Sequence, residues 1–196
     1  MAKAGVPGPL LVAIAAATRW LEEAGVRSAL IGGVAASLLG RPRVTKDVDI
    51  VVLAEESTWS ELLVRGKPHG IIPRVENALE FARTTRVLLL VHEASGVELD
   101  ISFAALPFER ELIERSIAKS IRGVSFNVAT AEDLVIMKAL ALRPRDIADI
   151  EGILSVVPDL DLDRVRRAVA EFSEALQSDD FVAELDRIVK AVKRDR

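Results

Sequence analysis

Three aspartates occupy positions from which a β-sheet could present their carboxylates on one face. Asp47 and Asp49 flank Val48 at the head of the apolar run 50–53. Side chains alternate along an extended strand, so Asp47 and Asp49 point the same way. Aspartate is depleted in strands, and hard divalent cations take carboxylate oxygens and reach substrate phosphates. We therefore predict that Asp47 and Asp49 bind Mg²⁺ or Mn²⁺.

The third aspartate lies on a second alternating segment. In residues 97–103 the apolar side chains share one face, and Asp100 lies on the polar face. If the two strands are neighbours, three carboxylates converge and repel one another unless a cation is present. Bound metal would then activate an attacking hydroxyl and stabilise a leaving pyrophosphate. The alternative is that these acids lie on a solvated sheet face or cap a turn.

A glycine pair, Gly32 and Gly33, follows a short apolar run, and thirteen residues separate it from Asp47. At a strand-to-helix turn, glycines let backbone amides approach a phosphate, and the helix N-terminus adds partial positive charge. A glycine pair by itself indicates only a tight turn. No Gly-x-x-x-x-Gly-Lys or Gly-x-Gly-x-x-Gly motif occurs. The glycine pair therefore predicts a phosphate site only in combination with the aspartates.

The remaining periodicity and a change of composition near residue 129 predict an α/β core over residues 1–128, which carries the aspartates, and a helical region over residues 129–196. The apolar run after Arg86 is typical of a strand buried on both faces. Thr130, followed by acids, is typical of a helix N-cap. The predicted elements of the core are a helix over 10–24, strands over 28–31, 47–53, 86–91 and 97–103, short helices over 33–39, 58–65 and 107–116, and a hairpin over 119–128.

Composition excludes several classes of protein. Half of the 196 residues are hydrophobic and 29% are charged, which favours a sizeable core over disorder. The absence of cysteine excludes a disulfide scaffold and zinc–thiolate sites. A net charge of −4 argues against a protein that coats nucleic acid. We recognise no secretory signal, and the apolar run 9–17 is too short to span a membrane, so a cytoplasmic protein without membrane association is expected.

These residues resemble the DNA polymerase beta-like nucleotidyltransferase superfamily. Gly32-Gly33 followed by Asp47-Val48-Asp49 is similar to its Gly-Gly/Ser…Asp-x-Asp fingerprint, and Leu99-Asp100-Ile101 looks like its third-acid strand. The tracts 131–140 and 143–150 resemble the helical part of minimal, AbiEii-like nucleotidyltransferases, some of which are toxins of toxin–antitoxin pairs. The resemblance implies an α+β fold, a mixed β-sheet flanked by helices with a helical C-terminal extension.

The resemblance also implies an activity and residue roles. The protein would transfer a nucleoside monophosphate from a nucleoside triphosphate to an acceptor hydroxyl. Asp47 and Asp49 would bind magnesium, and Asp100 would be the base or a third ligand. One departure is that the family often has serine where this chain has Gly33, which offers a phosphate only its backbone amide.

Basic residues supply candidate phosphate contacts. Lys138 lies in an otherwise apolar helix, where it either reaches solvent or holds a phosphate, and the resemblance favours the triphosphate. Asp146 would orient Lys138 rather than bind metal, and Asp149, on the same helix face, suits a structural ion pair. Arg43 and Lys46 precede the aspartates and would either guide the triphosphate or be solvated loop charges.

Our leading hypothesis is therefore a metal-dependent nucleotidyltransferase that acts on RNA (tRNA included), a protein or a small molecule. A toxin with an antitoxin partner, and an antibiotic-modifying enzyme, are variants of this hypothesis. The alternative from another class is a non-catalytic module that keeps the fold and binds a nucleotide or a partner.

Overall fold

The computed structural model describes residue 6, residues 8–178 and residues 180–194. The strands are β1 (Arg27–Ile31), β2 (Asp47–Leu53), β3 (Ile71–Pro73), β4 (Val87–His92), β5 (Val97–Phe103), β6 (Ile117–Ile121) and β7 (Val124–Val128). The helices are α1 (Gly8–Glu23), α2 (Gly32–Leu39), α3 (Trp59–Gly66), α4 (Ala78–Thr85), α5 (Pro107–Arg115), α6 (Ala131–Ala141), α7 (Pro144–Val156), α8 (Leu162–Leu176) and α9 (Asp180–Arg194).

The seven strands form one mixed sheet in the order β3-β4-β5-β2-β1-β7-β6. β2 pairs in parallel with β5, and β1 pairs in parallel with β7, whereas the other neighbours are antiparallel. A mixed sheet with helices confirms the predicted α+β fold class. The pairing of β2 with β5 also meets the condition on which convergence of the three carboxylates depended.

The two acid-bearing strands bury the face opposite their acids. On β2, Val48 and Val52 are fully buried, while Asp47 and Asp49 are only half-buried. On β5 the same alternation places Leu99 and the other apolar side chains inward. Helices α1 and α5 pack against this part of the sheet. Each large aliphatic side chain buried here stabilises the fold by about 1.5–3 kcal/mol. A register in which the acids faced the core would lose this stabilisation, so the acids face away from the core.

Two expectations for the sheet were wrong in detail. β4 alternates between buried and half-exposed residues, with Leu89 half-exposed on the face that carries its register partner Asp100. The strand is therefore not buried on both faces. β3 was not predicted at all, because three residues ending in a proline carry too little periodicity to be recognised.

The described chain divides into two compact units. Unit 1 comprises the residues up to 34 together with 44–129, and unit 2 comprises 35–43 together with the residues from 130 onwards. The segment 35–43, which the sequence analysis assigned to the catalytic core, thus groups with the helical region. Within unit 2, α6 contacts α7, α8 and α9 and is buried around most of its circumference. Thr130 caps α6, as predicted, by accepting a hydrogen bond from the backbone N–H of Asp133.

No helix among the described residues is long and apolar enough to cross a membrane.

Candidate active site

The three predicted carboxylates lie on one face of the sheet in unit 1. Asp49 on β2 is the register partner of Asp100 on β5, and Asp47 is the register partner of Glu98. Adjacent strands lie about 4.8 Å apart, and register partners project from the same face. Four acidic side chains therefore form two adjacent rows. The sequence analysis gave Glu98 no role.

Gly32 lies directly beneath the carboxylate of Asp49. Its φ is +64°, and a Cβ at this position would overlap Oδ2 of Asp49 and lie 2.5 Å from its Cγ and 2.8 Å from its Cβ. A residue with a side chain would thus be excluded by backbone conformation and by space. Gly32 begins α2 and Gly33 is its buried second residue. The structure therefore brings the N-terminal end of α2, with its partial positive charge, next to Asp49.

Asp47 is oriented by a residue of the preceding loop. The hydroxyl of Thr45 donates a hydrogen bond of 2.7 Å to Oδ1 of Asp47. A hydroxyl that donates to a carboxylate also restricts its rotation about the Cβ–Cγ bond. Lys46, predicted to contact the nucleotide, is exposed directly before Asp47.

Asp100 is ion-paired with an arginine that sequence reasoning missed. Arg74 follows β3, and its backbone N–H donates to the carbonyl of Leu89. Its Nη2 donates to Oδ1 of Asp100 at 2.5 Å, and its Nη1 donates to Oε2 of Glu98 at 2.5 Å. The only signal in the sequence was an arginine immediately after Pro73, and a surface arginine in a short connection is not distinctive.

The protonation of Asp100 reflects this environment. Burial raises the pKa of the Asp100 carboxyl, and the ion pair and hydrogen bond from Arg74 oppose that rise. The negative charges of Asp47 and Glu98 add to it, so the pKa of Asp100 lies above its ordinary value. The acids on the two strands are thus close enough to influence one another electrostatically.

Carboxylate oxygens are ligands of the kind that hard divalent cations prefer. Asp49, placed over Gly32, and Asp47, oriented by Thr45, fit such an ion. Within the described ranges, no group of three or more histidine, cysteine, aspartate or glutamate side chains is arranged to hold a metal. Asp100 does not complete such a group with Asp47 and Asp49 because one of its oxygens is paired with the guanidinium of Arg74.

The other predicted residues form a buried ion-pair cluster in unit 2. The ammonium of Lys138 lies 3.1 Å from Oδ1 of Asp146 and 2.7 Å from Oδ2 of Asp149. Arg43 donates to both oxygens of Asp149 through Nε at 2.6 Å and Nη2 at 2.9 Å, and Arg143 donates to Asp146. The side chains of Lys138, Asp146 and Asp149 are 7%, 1% and 4% exposed. Two of the three donors of Lys138 thus face carboxylates.

The ion pairs dominate the ionisation of these two buried acids. Burial raises the pKa of Asp146, but hydrogen bonds from Arg143 and Lys138 outweigh it, so the pKa lies below the ordinary range. The same balance, with Arg43 and Lys138 as donors, lowers the pKa of Asp149. Both are therefore carboxylates at neutral pH. Contact of Lys138 or Arg43 with a triphosphate stays a prediction.

Comparisons with known proteins agree with this architecture. An antigenic nucleotidyltransferase-like protein from Paracoccidioides brasiliensis superposes with a TM-score of 0.58 at 16% identity, covering 95% of this chain and 94% of that one. The crystal structure of ANT(2'')-Ia in complex with adenylyl-2''-tobramycin gives a TM-score of 0.59 at 15% identity, covering 85% and 98%. These likenesses establish the fold.

Residues 11–180 match the family described as nucleotidyl transferase of unknown function (DUF2204). No protein of curated function matches the chain. The family match spans both strands that carry the aspartates, the glycine pair and most of the helical region.

Proposed function

The chain belongs to the nucleotidyl transferase family of unknown function DUF2204, and we propose that it transfers a nucleoside monophosphate from a nucleoside triphosphate to an acceptor hydroxyl. In this reaction the acceptor oxygen forms a bond to the α-phosphorus, the bond from that phosphorus to the pyrophosphate oxygen breaks, and the hydroxyl proton passes to a base. The observation that carries the proposal is the carboxylate of Asp49 above Gly32, beside Asp47 and at the start of α2.

Asp47 and Asp49 would hold Mg²⁺ or Mn²⁺, which when bound would neutralise charge on the phosphates. The chain's own contribution is to fix these carboxylates before the substrate arrives. Thr45 restricts Asp47, and Gly32, which has no side chain, leaves the space that the carboxylate of Asp49 occupies. Preorganised groups stabilise a transition state because they need not reorient during the reaction. Asp100 is proposed as the base or as a third metal ligand.

The first turn of α2 is proposed to receive the phosphates. The backbone N–H groups at a helix N-terminus and the helix dipole favour anions. Gly33 supplies only its backbone there, since it lacks the hydroxyl of the serine often present in the superfamily. Lys46 is a second proposed phosphate contact, because it is exposed next to Asp47.

The acceptor is proposed as an RNA such as tRNA, a protein or a small molecule. The acidic net charge of −4 weighs against a large nucleic-acid interface. The AbiEii-like branch, a toxin role and an antitoxin partner rest on the resemblance of the tracts 131–140 and 143–150. A toxin would arrest growth of the cells that express it, and a variant without transfer activity would not.

The specific observation that favours a non-catalytic module is the ion pair between Arg74 and Asp100. In this arrangement one oxygen of the third acid faces a guanidinium. A module of this kind would bind a nucleoside triphosphate and leave it intact.

The test is transfer of label from nucleoside triphosphates labelled at the α- or the γ-phosphate. The protein is incubated with Mg²⁺ and, separately, with total RNA, a protein extract and a set of aminoglycosides. The proposal expects α-label, and no γ-label, on one acceptor. Asp49→Asn should reduce transfer at least about 100-fold, as expected for loss of a group that stabilises the transition state. Asp159→Asn, the same chemical change at an exposed position, should leave it unchanged.

Nucleotide binding measured by calorimetry separates the two functions. Binding without transfer to any acceptor fraction would support the non-catalytic module. Full transfer by Asp49→Asn would refute the proposed catalytic site.

A further inference from the structure

Arg74 is a basic side chain that pairs with two of the four acids on this face of the sheet. Its fork spans Glu98 and Asp100, two acids on the same face of β5, and their register partners on β2 are Asp47 and Asp49. One guanidinium is therefore shared by the two acids of β5, and the acids of β2 lie on the next strand of the sheet. Without the guanidinium, the like charges of the register pairs Asp47–Glu98 and Asp49–Asp100 would lack a positive partner, which destabilises a sheet.

The hydrogen-bonding capacity of Arg74 is only partly satisfied. Its Nε is buried without a hydrogen-bond partner in the described part of the chain. Arginine carries five donors in a fixed fork, so engaging Glu98 and Asp100 together leaves Nε facing away from any acceptor. The side chain of Arg74 is 24% exposed.

The two partners of Arg74 are not equivalent. Glu98 is the more exposed, with 55% of its side chain accessible against 29% for Asp100. Asp100 is the register partner of Asp49, the acid above Gly32. A divalent cation held by Asp49 would therefore draw on Asp100 before it drew on Glu98.

We infer that Arg74 is a positioning residue that competes with the divalent cation for Asp100. Without the cation, Arg74 bridges Asp100 and Glu98. When the cation binds, the two positive charges cannot share Oδ1 of Asp100, and Arg74 retains Glu98 as its partner. This inference rests on the proposed function, because it assumes that Asp47 and Asp49 bind a divalent cation. It assigns Arg74 control over how readily the third acid reaches that cation.

The test is a titration of the full chain with Mn²⁺ in the absence of nucleotide, with free Mn²⁺ measured by electron paramagnetic resonance. Arg74→Ala should tighten Mn²⁺ binding about tenfold, the factor expected when one charge-assisted hydrogen bond no longer competes. Arg83→Ala is the matched control, because Arg83 is an exposed arginine of unit 1 paired with Glu56. It should leave the affinity unchanged.

The gain must depend on Asp100. In the Asp100→Asn background, Arg74→Ala should no longer tighten binding, since the two residues act on one oxygen. A general electrostatic effect of losing a positive charge would persist in that background and would overturn the inference. If Arg74→Ala does not fold, as judged by circular dichroism, Arg74→Gln removes the charge while keeping most of the side chain and is titrated in its place.

Failure of this inference is distinguishable from failure of the proposed function. If wild type binds Mn²⁺, Asp49→Asn abolishes binding and Arg74→Ala changes nothing, the inference is wrong and the metal site stands. If neither wild type nor Arg74→Ala binds Mn²⁺, the proposed metal site is wrong and the inference falls with it.

Discussion

Gly32 lies beneath the carboxylate of Asp49, so that a Cβ on Gly32 would be 2.5 Å from Cγ of Asp49. Gly32, the residue after β1, thus lacks a side chain at the place where Asp49 of the neighbouring strand β2 puts its carboxylate. A site that depends on this contact should be more sensitive to a single methyl group than to other changes nearby.

We therefore expect Gly32→Ala to reduce nucleotide transfer at least about 100-fold, because displacing a catalytic group by about 1 Å has effects of that size. The positive φ should add about 1–2 kcal/mol of destabilisation. Gly96→Ala is the matched control, with φ of +66° and open space around its Cβ. It should lose comparable stability in urea unfolding and keep full transfer activity. Equal activity of the two variants would contradict the assigned role of Gly32.

The hydrogen bond from Thr45 to Asp47 is a second positioning contact. Thr45→Val keeps the shape of the side chain and removes the donor, so transfer should fall about tenfold. The free energy of unfolding should change by less than about 0.5 kcal/mol, because the site is only half-buried. Thr45→Ser restores the donor and should restore most of the activity. A serine variant as impaired as the valine variant would indicate a packing role.

Lys138 should matter to stability whatever its role in catalysis. Lys138→Met removes the ammonium between two nearly buried carboxylates, and breaking such a cluster costs about 3 kcal/mol or more. Lys46→Met, at an exposed position, should change stability by less than about 0.5 kcal/mol. Urea unfolding at neutral pH measures both. A loss of triphosphate affinity in a folded Lys138→Met chain would support the phosphate contact predicted from the sequence.

Stability in acid should follow the two buried aspartates. Because the folded-state pKa values of Asp146 and Asp149 are lowered, the unfolded chain binds more protons in acid. Their contribution to the free energy of unfolding is complete above the unfolded-state pKa of about 4, and it is lost as the pH falls through the folded-state pKa values. The free energy of unfolding should therefore decline below about pH 4.

The matched variant for this prediction is Arg43→Met. It removes the hydrogen bonds that lower the pKa of Asp149, so the decline in acid should become shallower. Urea unfolding measured between pH 7 and pH 3 compares the two proteins. An unchanged slope would show that Asp149 does not titrate differently in the folded chain.

The strands that carry the site were predictable, whereas the residue that completes it was not. Both β2 and β5 match their predicted bounds, because β5 alternates between apolar and polar residues and β2 joins two alternating aspartates to an apolar run. Arg74 escaped notice because its position depends on β3, a strand of three residues, and on pairing with a strand that follows it in sequence. Local patterns report periodicity and do not report which distant acid an arginine meets.

The grouping of segment 35–43 could not be predicted from the sequence. A change of composition is visible near residue 129, whereas nothing in the sequence separates 35–43 from the residues on either side. The grouping of 35–43 with the helical unit depends on contacts such as that of Gly40, where a Cβ would lie 2.8 Å from the backbone N of Ile153. Close approach of two backbones distant in sequence has no local signature beyond the glycine itself.

The parallel pairing of β2 with β5 has a consequence for how the protein folds. A parallel pair cannot form through a tight turn, and the connection from β2 to β5 contains α3, β3, α4 and β4. The antiparallel pair of β1 and β2, which places Gly32 after β1 and Asp49 on β2, closes a much shorter loop and can form early. Asp100 joins only when long-range strand pairing is complete. During synthesis the nascent chain would therefore hold Asp47 and Asp49 without Asp100 until β5 has docked.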